Sequence, residues 1–153
     1  MLDFLDVPLS AAVRQQAGAY QAYTFGPSGK KVKILLLDSR YHRDAPIKNP
    51  AGKGYLGNEA GTILGEAQWQ WLEAELANSD AQVHLIGNGI QVIPAEHDYE
   101  KWNNFPQERE RLFALLKQYE VEHPVLLSGD RHIAEISRLD YSPADYPIYE
   151  MTS

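Results

Sequence analysis

The sequence predicts a layered α/β domain built around a mixed sheet. Three observations lead there. Short apolar runs of strand length recur along the chain, two longer segments carry apolar residues at helical spacing, and the runs end in small polar clusters. The resulting order is strand, strand, helix, strand, helix, strand, strand, strand. No internal repeat and no low-complexity linker divides the chain, so residues 1–153 read as a single unit.

Tyr20 to Phe25 reads as the first strand, and Gly26-Pro27-Ser28-Gly29 as the turn that follows. Val32 to Leu37 is the second strand. Its near-continuous apolar run predicts burial on both faces. The pair forms a hairpin leading into a central sheet. Residues 39–64 are irregular and rich in Gly, Pro and Asn, and loops of this length in compact domains are often functional. Little apolar surface marks them as the most mobile interior segment.

Glu66 to Asn78 reads as a helix, with Gln68, Trp69, Leu72 and Leu76 on one face and Trp71 beside it. Ala81 to Ile86 is a short strand ending at Gly87-Asn88-Gly89. A loop over residues 91–104 precedes a second helix. Pro106 suits its first position, and Leu112, Phe113, Leu115, Leu116 and Tyr119 form its apolar stripe. Pro124 to Leu127, Ala134 to Leu139 and Pro147 to Thr152 are the remaining strands.

A net charge of −7 argues against nucleic acid or an anionic membrane surface as the main partner. A small phosphate ester stays open, because bound ions set the local field more than net charge does. The chain has no cysteine, which excludes disulfides, thiolate metal sites and cysteine nucleophiles. No stretch approaches the roughly 20 apolar residues of a membrane helix. The start, Met1-Leu2-Asp3-Phe4-Leu5-Asp6, does not read as a signal peptide. The compartment stays open.

Sites in such sheets gather beyond the carboxyl ends of strands, and three clusters fall there. In Gly129-Asp130-Arg131-His132, a turn lets the Asp130 carboxylate and the His132 imidazole converge, a pair suited to a divalent or trivalent metal. The alternative is a turn with an Asp-Arg ion pair and a surface histidine. Asn88, between two glycines, offers an amide to a metal or a phosphate, or simply tolerates a turn. Asp38-Ser39-Arg40, with Tyr41, His42 and Arg43, reads as an Asp-Arg anchor for the loop or as an anion contact. His84, His97 and His123 have no ligand partner at useful spacing and read as ordinary residues.

Taken in order, these segments resemble one family. Leu36-Leu37-Asp38-Ser39-Arg40-Tyr41-His42-Arg43-Asp44 is similar to the "LDTRYxRD" stretch of PhoD-like alkaline phosphatases and phosphodiesterases. Leu64 to Leu72 resembles their "LGxxQWxWL" helix. Ser128 to Glu135 resembles "SGDxHxAE", and Tyr149 to Ser153 resembles the start of "YExTSSG". Gly87 to Gln91 and Trp102 to Arg111 fit between. The resemblance runs from about Gly18 to the last residue.

The resemblance implies the C-terminal half of a metallophosphoesterase β-sandwich flanked by helices, with a mixed sheet. It implies a parent enzyme that hydrolyses phosphomonoesters or phosphodiesters with two metal ions, iron and calcium being expected and manganese or zinc admissible. Asp130, His132 and Asn88 are the expected metal residues, and Arg131 and Arg40 the expected catalytic arginines. The family's "WDDHDYGxND" segment, with its bridging aspartate, has no counterpart here. The missing N-terminal half is thus the expected partner, and the chain alone is expected to bind metal weakly and to be inactive. Families of this kind are often exported. The competing expectation is a non-catalytic half-domain, or a remnant, that packs against a partner.

Overall fold

Strand β1 (Gln21–Phe25) turns back onto β2 (Val32–Leu36) in the computed structural model, which describes residues 2–140 and 147–153. Gly26 makes that turn at φ 98°, and a side chain there would overlap the Lys30 carbonyl oxygen. Next come β3 (Ile47–Lys48), β4 (Tyr55–Leu56), helix α1 (Glu66–Ala77) and β5 (Val83–Gly87). Helix α2 (Pro106–Gln118), β6 (Pro124–Ser128), β7 (Glu135–Leu139) and β8 (Ile148–Thr152) complete the chain. Ala12–Gln15 and Trp102–Asn104 are single 3₁₀ turns.

Six strands form one sheet in the order β1-β2-β5-β6-β8-β7. The four inner strands run parallel, and the two edge strands are antiparallel to their neighbours. This is the expected mixed sheet. α1 connects β2 to β5 and α2 connects β5 to β6, the helical crossovers that parallel neighbours require. β3 and β4 pair only with each other, inside the stretch read as irregular. That stretch is also pinned at both ends, since Ser39, Ile63 and Leu64 are buried.

One face of the sheet is covered. Leu35, Ile86 and Leu126, adjacent across three strands, are fully buried. They join Trp69, Leu72 and Leu76 of α1 and Leu112, Phe113 and Leu116 of α2 in one core cluster. Each helix therefore buries the stripe its periodicity predicts. Glu108 ties the two together. Its carboxylate accepts from Trp69 Nε1 at 2.9 Å, Thr62 Oγ1 at 2.9 Å and the Ile63 and Leu64 N–H groups at 2.7 and 3.2 Å.

The opposite face is apolar and bare. Tyr23, Phe25, Leu36, Tyr149, Met151 and Ile136 alternate with the buried positions and stand in solvent, Ile136 at 73% exposure. Burial of β2 on both faces, expected from its sequence, is therefore not met: Leu35 is sealed while Leu36 is 41% exposed. A near-continuous apolar run shows that both faces could be covered, not that both are. The second layer of a sandwich is not found among the described residues.

Candidate functional site at the carboxyl ends of the parallel strands

All four parallel strands end at one edge, and each hands its backbone to the next. Leu37 N–H donates to Gly87 O, Asn88 N–H to Leu127 O, and Ser153 N–H to Ser128 O. Asp38, Asn88, Asp130 and Ser153 therefore stand in a row just beyond the strands. The three polar clusters singled out in the sequence meet here.

Asp38 anchors backbone. One carboxylate oxygen accepts the Arg40 and Tyr41 N–H groups, each at 2.9 Å, and the other accepts Ala19 N–H at 2.8 Å. Burial pushes its pKa up, but these three donors outweigh that and hold it below the usual carboxylate value. The expected Asp38–Arg40 side-chain pair is absent. Arg40 reaches outward instead, to Glu100 Oε2 at 3.2 Å and Asp130 Oδ2 at 3.6 Å. Arg43 meets the same Glu100 oxygen at 2.9 Å. Arg40 thus joins the loop after β2 to the turn after β6, and also meets Glu100, an acidic residue that sequence spacing did not mark.

The turn after β6 is strained. Asp130 and His132 have φ of 71° and 55°, in the left-handed region. Asp and His enter this region more readily than most residues, and each costs roughly 1–2 kcal/mol there. Both side chains are exposed. Between them, Arg131 turns inward: its Nε donates to Gln91 Oε1 at 3.0 Å, and its guanidinium carbon lies 4.4 Å from the centroid of the Tyr99 ring. The alternative of an Asp130–Arg131 ion pair is not what forms.

Asn88 is a strut. Its amide oxygen accepts from Trp102 Nε1 at 2.9 Å and Ile90 N–H at 3.2 Å, and its nitrogen donates to Leu127 O. An amide oxygen has two lone pairs, so both are in use. The chemistry of Asp130 and His132 suits a metal, but two exposed donors and one engaged amide do not build a two-metal centre. Among the described residues no three His, Asp or Glu side chains group closely enough to hold an ion. Among the described residues, Asp130, His132 and Asn88 by themselves do not make up a full set for the ions the resemblance implies.

A cavity of about 670 Å³ lies elsewhere, between residues 59–66 and α2. Glu59, Glu66, Glu108 and Glu110 line it, and its one cation, Arg111, is held by both Glu66 oxygens. Such a surface repels a phosphate. The strand-end row carries the available arginines.

Domains built on a layered α/β sheet carry their sites beyond parallel strand ends, as the polar clusters are placed here, and sequence comparison gives the family. The family model described as PhoD-like phosphatase matches residues 4–152, and the chain belongs to that family. Alkaline phosphatase D of Bacillus subtilis (strain 168) is 26% identical over 86% of this chain. The solved structure of PhoD superposes with a TM-score of 0.73 at 22% identity over 88% of this chain. GAP50, described as the anchor in the inner membrane complex of Plasmodium, gives 0.50 at 15% identity over 90%. The chain spans 28% of alkaline phosphatase D and of the PhoD chain. No helix among the described residues is long and apolar enough to cross a membrane.

Sequence reasoning missed four residues at this edge: Gln91, Tyr99, Glu100 and Glu150. Glu150 had a legible signal, an acid at an inward position of the strand Ile148-Tyr149-Glu150-Met151-Thr152. The other three lie on a loop whose course no periodicity reveals. His84 is buried, as a core residue, between Ser79 Oγ at 2.8 Å and Glu122 O at 3.0 Å. His97 is no plain surface residue, because its Nε2 is buried without a hydrogen-bond partner.

Proposed function

We propose that this chain is the C-terminal part of a phosphoric ester hydrolase of the alkaline phosphatase or phosphodiesterase type, and that its strand-end row is one wall of the active site. The observation that carries the reading is the Arg40–Asp130 contact beyond four parallel strands, with Arg131 and His132 on the same turn as Asp130, in a chain of the PhoD-like phosphatase family. Arg131 and Arg40 take the phosphoryl oxygens, since guanidinium groups match that geometry in two-pronged fashion. Asp130 and His132 are this chain's contribution to an ion shell completed by upstream residues. Asn88 joins that shell only by giving up Trp102. Metal ions, iron and calcium by resemblance, supply charge neutralisation at phosphorus when bound.

The bare apolar face supports the same reading. A face carrying Tyr23, Phe25, Leu36, Tyr149, Met151 and Ile136 is suited to a second sheet, as in a β-sandwich. We assign that sheet to the N-terminal half of the same domain. The same exposed apolar face would also suit a second reading, a non-catalytic half-domain that packs on a partner. Hydrolysis of bis-p-nitrophenyl phosphate separates the two. Activity in the chain extended upstream, with iron and calcium, supports the hydrolase. An extended, folded and inactive chain supports the alternative.

A further inference from the structure

The segment that follows Asn88 is gripped by two ionisable side chains, Glu150, which is buried, and Arg109, which is partly buried. The carboxylate of Glu150, fully buried, accepts Val92 N–H at 2.9 Å and Ile93 N–H at 2.6 Å. Arg109 takes the other side of the same two peptides, donating to Val92 O at 2.7 Å and Ile93 O at 3.0 Å. Burial pushes the Glu150 carboxyl up and pulls the Arg109 guanidinium down. Taking ionisable groups out of water is costly unless their hydrogen bonds are well made. Here those bonds are spent on fixing one dipeptide.

That dipeptide fixes Gln91. Its side chain is fully buried. The amide nitrogen donates to Thr152 Oγ1 at 2.9 Å and to Glu135 Oε2 at 3.3 Å, so the amide oxygen is left pointing at Arg131 Nε, 3.0 Å away. Tyr99 underlies the guanidinium plane. Among the described residues the two terminal nitrogens of Arg131 meet no hydrogen-bond acceptor.

We propose that Gln91, clamped by Glu150 and Arg109, is a positioning residue that holds Arg131 by Nε and leaves its two terminal nitrogens to take a phosphoryl group. The proposal rests on reading this edge as the phosphate-binding wall. An arginine fixed at Nε and stacked on one face loses little further freedom when it binds, which is preorganisation in the ordinary sense. Gln91 touches no substrate and acts only through Arg131.

The test uses arginine Nε–H resonances in the ¹H–¹⁵N spectrum of this chain, with Arg131→Lys identifying the Arg131 signal. In the native chain that signal should be sharp and slow to exchange, and inorganic phosphate should shift it. In Gln91→Met, which keeps length but removes the acceptor, the signal should broaden away and phosphate should bind about tenfold more weakly. Gln91→Glu, which restores an acceptor, should recover the signal. A phosphate shift unchanged in Gln91→Met would overturn the role of Gln91 and leave the phosphate site standing. No phosphate response in the native chain would overturn the site and this proposal together. Should Gln91→Met not fold, the native exchange rate decides: exchange as fast as in free arginine would show that Gln91 does not hold Nε.

Discussion

Arg40 stands between Glu100 and Asp130, with one terminal nitrogen 3.2 Å from the first carboxylate and the other 3.6 Å from the second. The bridge ties the loop after β2 to the turn after β6. It is more than half exposed at Arg40 and half exposed at Asp130, so it contributes little to stability. Arg40→Ala should change unfolding free energy by less than about 0.5 kcal/mol, while weakening inorganic phosphate binding several-fold. Denaturant titration beside phosphate titration checks both. A large loss of stability would make Arg40 a fold residue.

Glu108 behaves oppositely. Three protein segments depend on one carboxylate, and truncating it leaves the Trp69 indole and two peptide N–H groups buried without acceptors. Glu108→Ala should destabilise the chain by about 3 kcal/mol or more. Glu108→Gln, which retains one acceptor oxygen, should cost distinctly less. Equal losses in the two variants would show that packing, not hydrogen bonding, sets the effect.

The fold was largely legible because apolar periodicity is a local signal. The stripe Gln68-Trp69-Leu72-Leu76 and the runs around Leu35, Ile86 and Leu126 each report burial without reference to distant chain. The three polar clusters were legible for a similar reason, since each directly follows a strand. Their mutual contacts were not. Arg40 finds Glu100 and Asp130 rather than its neighbour Asp38, because Asp38 is already engaged by backbone N–H groups, a fact only the folded loop creates. The two-sided burial read into β2 failed because an apolar run does not say what covers each face: Leu35 is sealed by the helices, while Leu36 is left exposed.

His84 gives the chain a pH signature. Burial holds its imidazole below the ordinary value of 6.5, against the bond to Glu122 O, and Lys33 nearby pushes the same way as burial. With the folded pKa depressed, the unfolded chain takes up the proton first as pH falls. The stability from a neutral His84 is therefore complete above about 6.5 and is lost as pH falls from there through the folded pKa. His97 is shifted in the same direction, with burial the largest cause. Thermal melts between roughly pH 8 and pH 5 should show a falling Tm, and His84→Gln should flatten the slope. A Tm that rises on acidification would contradict the assignment.

The bare sheet face predicts association. Light scattering should show concentration-dependent oligomers of this chain, together with binding of an apolar dye. Ile136→Lys combined with Met151→Lys, both on that face and both at least half exposed, should shift the chain toward monomer without loss of fold. A clean monomer that binds no dye would show that the face needs no cover.

The central claim is that this edge is one wall of a phosphoesterase site, and hydrolysis of bis-p-nitrophenyl phosphate tests it most directly. The chain extended upstream should hydrolyse the diester with iron and calcium, and the chain alone should do so weakly or not at all. In the extended form, Asp130→Ala and His132→Ala should each lower the rate by about 100-fold or more while leaving the fold intact. Full activity in both variants would contradict the account.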